Sequence, residues 1–440
     1  MSALAIGLAL FAAMLALMVL RVPIAITMFV PGAVGFLALT STDVLLNYLK
    51  GAAFARYSVY DLSVIPLFLL MGQFATQGGL SKALFRFGNA LMGHFRGGMA
   101  MAAVLACAAF GTVCGSSVAT AATVTQVALP EMRRYKYSGR LATATLAAGG
   151  TLGILIPPSV VLVVYAILAE QNIAKLFAAA FIPGFIAAAG YLTAIAIYVR
   201  LFPEHGPAHP RASGKEFIES AIAIWPIAMI FIVVFGGIYG GVFTPTEGAG
   251  VGAVCTFIAA LAKGELSWAS FRRSFLGTAE TTAMVFLIFL GADMLNSALA
   301  LSQLPAELAQ AVGALKLPPV AIIAGILLFY VVLSSVMDEL SMIILTVPIL
   351  FPIVMGLDLY GLPPQEKAIW FGILVLSVVE VGLIAPPVGL NVYVVNALAG
   401  DVPMHETYRG VVPFLISDAV RIALLISFPV LSLYLVRLLY

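Results

Sequence analysis

No charged residue stands between Arg140 and Glu170, and comparable apolar runs recur along the whole chain. About 20 apolar residues cross the hydrocarbon core of a bilayer. No water is available there, so a spanning backbone must satisfy its own hydrogen bonds, as a helix or a closed barrel does. The composition agrees: 62% of the 440 residues are hydrophobic and 10% are charged, against about 25% charged in soluble domains. The chain reads as an all-α polytopic membrane protein. Its apolar start has no basic n-region and reads as a first span, not a cleaved signal peptide. Cys107, Cys114 and Cys255 all lie in apolar stretches and read as small hydrophobes. On one helix Cys107 and Cys114 are about 10 Å apart, too far to pair.

Ten crossings are expected, over 3–20, 22–40, 61–76, 141–169, 177–200, 221–243, 247–263, 277–297, 368–399 and 411–436. Two further apolar stretches, 98–130 and 318–352, are interrupted by "GTVCGSSVAT" and "LSSVMDELS". Each reads as a re-entrant hairpin with a polar tip, a form tolerated at membrane depth only where protein or a water cavity surrounds it. Stretches 42–60, 80–96 and 300–316 are amphipathic and read as interfacial arms. Basic residues favour the cytoplasmic side. Most of the 22 Lys and Arg residues, Arg21 and the cluster "RRYKYSGR" among them, fall on one side of this arrangement. Lys50, Arg56, Lys175, Lys316, Lys367 and Arg437 fall on the other, and Arg421 lies within a span. The bias places both termini outside.

The two halves echo each other, dividing the chain into 1–220 and 221–440. "GILIPPS" and "GLIAPPV" share a Gly-x-x-x-Pro-Pro, and the spacing that carries Ser116 to Ser334 also carries Pro130 to Pro348. Five crossings separate the hairpins. The number is odd, so the second hairpin opens to the opposite side. Inverted repeats with paired interrupted helices are a mark of secondary transporters, and the interruptions point to the binding site.

Proline removes a backbone donor and pushes the preceding residue out of the α region. The segments beginning at Gly153 and Gly382 should therefore be unwound near Pro157, Pro158, Pro386 and Pro387, freeing carbonyls for a cation or helix ends for an anion. The tips add the hydroxyls of Ser116, Ser117, Thr120, Ser334 and Ser335, and the carboxylate of Asp338 at the repeat position of Thr120. Uncharged oxygens with at most one carboxylate suit a hard monovalent cation. Two such sites are expected, each pairing a tip with the facing break. Asn391 is placed to reach substrate or ion. The bland alternatives are that prolines only kink a helix, that Ser and Thr bond back to their own helix, and that Glu247 caps a helix. Asp338 and Glu339 are acids at a tip, and intramembrane acids are functional by default. Glu380 stays open between roles, and Asp418 and Arg421, at i and i+3, satisfy each other. His94, His205, His209 and His405 fall in expected loops and read as solvated.

The motifs "FGTVCGSSVATAAT", "GILIPPS", "KLFAAAFIPG", "FTPTEGAGVGA", "SSVMDELSMIILTVPILFPI" and "GLIAPPVGLNVYVVNALAG" together resemble the large membrane subunit of tripartite ATP-independent periplasmic (TRAP) transporters, over essentially the whole chain. The resemblance implies an elevator-type, sodium-driven secondary transporter in the bacterial inner membrane. A transport domain carrying both hairpins and both broken helices would move against a scaffold. It further implies a separate small four-helix membrane subunit and a periplasmic solute-binding protein that delivers an organic anion such as a C4-dicarboxylate, sialic acid or another sugar acid. By motif match, Ser116, Ser117 and Thr120 with the 153–158 break would hold one Na⁺, and Ser334, Ser335 and Asp338 with the 382–387 break the other. Substrate would lie between them, near Ser117, Pro158, Ser159, Ser335, Pro387 and Asn391. Two positions depart from the pattern: Ala385 stands where a threonine often precedes the prolines, and Ile173 where a small hydroxyl residue is frequent. No organic cofactor and no nucleic-acid partner are expected. A stand-alone sodium-coupled anion symporter is the competing transport reading. An intramembrane serine hydrolase would need a base beside its nucleophile, and no span carries a histidine. A passive channel fits less well, since tips that differ by one Asp suit a binding site better than a continuous pore.

Overall fold

The computed structural model describes residues 3–20, 22–314 and 317–440. Arg21 and Lys316, both used to orient the chain, lie outside them. Helices α1 (Ala3–Val19) and α2 (Ile24–Leu39) lead into α3 (Thr42–Tyr57), α4 (Val64–Gln77) and α5 (Leu80–Met92). A first hairpin follows, α6 (Gly98–Cys114) and α7 (Ser117–Arg134), then α8 (Gly139–Leu155), α9 (Val160–Leu168) and α10 (Ile173–Leu201). Beyond the loop at 202–213 come α11 (Gly214–Ala223), α12 (Trp225–Tyr239), α13 (Pro245–Ala262), α14 (Trp268–Leu301) and α15 (Leu304–Ala314). A second hairpin, α16 (Pro319–Ser334) and α17 (Glu339–Met355), precedes α18 (Pro364–Ile384), α19 (Leu390–Ala399), α20 (Met404–Ser427) and α21 (Val430–Leu439). No strand occurs among the described residues.

Five helices among the described residues, α10, α13, α14, α18 and α20, are each long and apolar enough to cross a membrane. Counting each bent pair as one crossing raises the number to eight. The ten expected crossings therefore also require α1 and α2, of 17 and 16 residues, to cross. Two expected single spans are broken. The stretch 221–243 is α11 and α12, bent by 40° just before Pro226. The stretch 411–436 is divided at Phe428, whose φ of −130° and ψ of 78° are non-helical. Phe428 precedes Pro429, and a proline disfavours the α region for its predecessor.

Burial divides the helices by role. Every residue of α8 from Leu141 to Leu155 is buried, and so is nearly all of α18. A helix apolar all round and buried all round belongs in the interior. By contrast, α12 and α14 expose Trp225, Ile232 and Leu287, as helices facing lipid do. The arm α3 has no buried residue. Over 80–96, Leu80, Leu84 and Phe85 bury one face of α5, the one-sided pattern of an amphipathic arm. This helix packs on both arms of the first hairpin.

The packing pairs recur. α6 lies on α8 as α16 lies on α18, and α10 and α20 pack on α8 and α18 respectively. The short helices after the prolines cross over: α9 packs on α17, and α19 on α7. Around this core, α2 and α14 pack against each other through glycine. A Cβ at Gly32 would sit 2.6 Å from the backbone nitrogen of Leu295, and one at Gly291 would strike the Ala25 carbonyl. Small residues let membrane helices approach to backbone contact. An ion pair between Arg56 and Asp293 ties α3 to α14. Tyr57 helps, its hydroxyl donating to the Phe286 carbonyl at 3.0 Å. Gly32→Ala should push α2 off α14 and cost about 1–3 kcal/mol of stability, read as a lower unfolding temperature in detergent. An unchanged temperature would show that the two helices can separate without loss.

Candidate functional site

The first tip is short. Gly115 adopts φ +64° and ends α6. Ser116 caps α7, its hydroxyl accepting from Ala119 N. Opposite stands the end of α8, where a Cβ at Gly153 would meet Thr120 Oγ1 at 2.6 Å and the Ser116 carbonyl at 3.0 Å. Beyond it, Ile156 is extended and Ser159 caps α9. The whole break is buried. Thr120 Oγ1 is buried, with no oxygen or nitrogen partner among the described residues.

The second tip repeats this with a difference. Gly382 lies against Ser334, where an added Cβ would fall 2.5 Å from Ser334 Cβ and 2.6 Å from its carbonyl carbon. Each glycine of the two Gly-x-x-x-Pro-Pro motifs thus faces the tip of its own hairpin. The hydroxyls of Ser334 and Ser335 donate to Val331 and Val332 carbonyls at 3.2 and 2.7 Å. Their hydrogens point into their own helix, which leaves oxygen lone pairs to accept. Matching the Ser-Ser pairs set Asp338 opposite Thr120, but the structure puts it elsewhere. Asp338 caps α17, accepting from Ser341 N at 3.0 Å, the place that Ser116 holds on α7. The second tip is simply longer between its helices. Its carboxylate at a helix N-terminus is favoured by the helix dipole. Asp338 and Ser341 also line a cavity of about 670 Å³ shared with Pro23, Glu280 and Leu287. Glu339 next to it is buried.

Here the breaks differ in exposure. Pro386, Pro387 and Val388 are exposed, and Tyr408 on α20 donates to the Pro387 and Val388 carbonyls at 3.1 and 2.6 Å. Those carbonyls therefore point to α20. Ala385, the departure noted above, is extended and ends α18, and Ile173 opens α10. Both Pro-Pro bonds, Pro157–Pro158 and Pro386–Pro387, are cis.

Asn391, fully buried on α19, joins the two halves. Its Nδ2 donates to Ser117 Oγ at 2.7 Å and to the Ala147 carbonyl at 3.1 Å. Its Oδ1 has no partner among the described residues. Ser117 is thus tied to the helix of the second break. Ser159 is buried, its oxygen accepting from Leu162 N at 3.2 Å.

Glu247 forms a capping box with Thr244. Asp418 and Arg421 do pair, at 3.0 Å, but Glu380 joins them, 2.7 Å from Arg421 Nη1. Tyr191 completes the group, its hydroxyl donating to Asp418 at 2.9 Å. The signal for Glu380 was a lone acid inside a span two residues before a conspicuous glycine; no pattern marked Tyr191 or Tyr408. His405 lies in the first turn of α20 rather than in a loop. His205 Nδ1 and Tyr198 share a hydrogen bond of 2.7 Å. His209 stacks edge-on against Tyr135, and burial holds its pKa below the usual value against the opposing pull of Glu131. Neither is simply solvated. All three cysteines are free, with Cys107 and Cys114 buried.

The family profile described as "Tripartite ATP-independent periplasmic transporter, DctM component" matches residues 11–431. The chain belongs to the DctM family. It is 37% identical over 85% of its length to the C4-dicarboxylate TRAP transporter large permease protein DctM of Pseudomonas aeruginosa, covering 86% of that protein. It is 29% identical to the sialic acid TRAP transporter large permease protein SiaM of Vibrio cholerae, with 92% of each covered. It is 28% identical to the ectoine TRAP transporter large permease protein TeaC of Halomonas elongata, over 96% of this chain and 97% of that one. The crystal structure of the YdaH transporter of Alcanivorax borkumensis shares the fold, with TM-score 0.58 and 16% identity over 88% of this chain and 89% of that one. DctM-family membership makes this a transporter permease, and the hydrolase reading falls away.

The contact at Gly382 is testable in this DctM-family chain. Gly382→Ala should force Ser334 away and lower the unfolding temperature, costing about 1–3 kcal/mol. Gly325→Ala on α16 has open space around its Cβ and should be neutral or slightly stabilising. Equal effects of the two substitutions would mean that the break does not press on the tip.

Proposed function

We propose that this chain is the large membrane subunit of a sodium-coupled TRAP transporter that imports an organic acid anion by an elevator mechanism. It would act in the inner membrane with both termini periplasmic. A small four-helix membrane subunit and a periplasmic solute-binding protein complete the assembly. The substrate class is that of C4-dicarboxylates, sialic acid and other sugar acids. DctM-family membership supports the tripartite assembly; the relatives' names support the substrate class. Residues 1–220 and 221–440 form two repeats of inverted topology, and scaffold and transport domains draw on both.

The observation that carries the coupling proposal is the repeated seating of a glycine-opened break against a hydroxyl-bearing hairpin tip. One sodium site would be formed by Ser116, Ser117, Thr120, Gly153 and Pro157, the other by Ser334, Ser335, Asp338, Gly382 and Pro386. The donor chemistry fits: these are hard oxygens with a single carboxylate, a set suited to a cation that must bind and be released in each cycle. Two buried oxygens with no oxygen or nitrogen partner among the described residues, Thr120 Oγ1 and Asn391 Oδ1, offer acceptor capacity beside the first tip. Such atoms are costly unless something satisfies them. Substrate would lie between the sites near Ser117, Pro158, Ser159, Ser335, Pro387 and Asn391. Pro158 and Ser159 are buried and Pro387 is exposed.

Uptake of a labelled organic acid into proteoliposomes tests this reading. Both membrane subunits and the binding protein should be required, together with an inward sodium gradient. Full-rate uptake without the binding protein would overturn the tripartite reading. Asp338→Ala and Ser117→Ala should abolish sodium-driven uptake while leaving the complex assembled, as judged by size-exclusion chromatography. Wild-type uptake by either variant would displace the ion sites.

A further inference from the structure

One buried cluster is not used by the proposed ion sites. Arg421 lies between Glu380 at 2.7 Å and Asp418 at 3.0 Å, with all three side chains at most 2% exposed. Tyr191 donates its only hydroxyl hydrogen to Asp418 at 2.9 Å, so its oxygen is left to accept. Thr151 Oγ1 stands 3.2 Å from that oxygen. Thr151 donates to the Ala148 carbonyl at 2.8 Å, so its link to Tyr191 is a close polar contact between two hydroxyl oxygens. The cluster therefore runs from Thr151 on α8 through α10 and α20 to Glu380 on α18.

Its two ends fall at matching places. Thr151 stands two residues before Gly153, and Glu380 two residues before Gly382. Both glycines press on their hairpin tips, so each end of the polar chain lies within one helical turn of a break. An ion triad is not an efficient way to stabilise an apolar interior: well-packed hydrophobic residues of similar volume often do as well or better. Its charges do something that apolar packing does not: Arg421 must stay within reach of both carboxylates, which limits how far α18 and α20 can slip past each other.

We infer that Thr151, Tyr191, Asp418, Arg421 and Glu380 form a positioning network that couples the two breaks, so that a change in the geometry of one is transmitted to the other. In a transporter that loads two ions and one substrate, such a link would make the two sites form and open together. That consequence rests on the ion-site reading above; the link between the breaks does not.

Amide hydrogen exchange in the purified full-length chain separates the two. Exchange across 153–162 reports the first break, and across 382–391 the second. Glu380→Gln and Tyr191→Phe should each speed exchange at both segments, by on the order of threefold or more. Thr143→Val is the control. Thr143 and Thr407 also share a buried hydroxyl bond between α8 and α20, at 2.8 Å, but outside the network, and its loss should leave both segments unchanged. Acceleration by Glu380→Gln confined to 382–391, or an equal effect of Thr143→Val, would overturn the coupling. If Glu380→Gln does not fold, Tyr191→Phe decides alone, because it removes no charge: a change confined to one segment, or none, rejects the network. Failure of the ion-site reading has its own signature, in which sodium leaves wild-type exchange unchanged at both segments while the variants still report the link.

Discussion

The structure depends on two places where the backbone stops bonding to itself inside an apolar interior. A lipid-exposed break of this kind would leave polar groups unsatisfied at a cost of several kcal/mol each. The chain encloses the first break in protein, and at the second, whose prolines are exposed, Tyr408 takes up the Pro387 and Val388 carbonyls. The helices entering the breaks, α8 and α18, are the most buried of the fold. The short helices leaving them cross to the opposite hairpins, α9 to α17 and α19 to α7. Neither broken helix can therefore be removed without exposing the other half.

Glycine and hydroxyl residues make this enclosure close enough to matter. Gly153 and Gly382 bring backbone against tip where any side chain would intrude. Their neighbours supply oxygens rather than apolar surface. Asn391 then ties the second broken helix to Ser117 on the first hairpin, and the Arg421 triad ties α18 to α20. Outside this centre, α2 and α14 hold to each other through Gly32 and Gly291. The centre is cross-linked by polar contacts and the periphery by close packing.

Much of this was legible in the chain itself. The apolar runs, the polar tips at Gly115–Ser116 and Ser334–Asp338, and the proline pairs all follow from local chemistry, because proline and glycine act on their immediate neighbours. The capping box at Glu247 and the Asp418–Arg421 pair were readable for the same reason, being only three residues apart. The break at Phe428 carried its signal in Pro429, although a continuous apolar pattern hid it. Only the repeat position of Asp338 was misaligned, since matching letters cannot register a tip of different length.

Sequence alone determined that this chain is a helical membrane protein with two interrupted helices and two polar-tipped hairpins. It did so because bilayer insertion and proline geometry are set residue by residue. Only the tertiary structure decided which side chains meet. That Asn391 bonds Ser117, that Tyr408 holds the Pro387 carbonyl, and that Glu380 shares Arg421 with Asp418 depend on contacts between helices far apart in the chain. Such contacts leave no periodic trace in one sequence, because a single polar residue facing a single partner obeys no repeat. Packing of the whole interior had to bring them together.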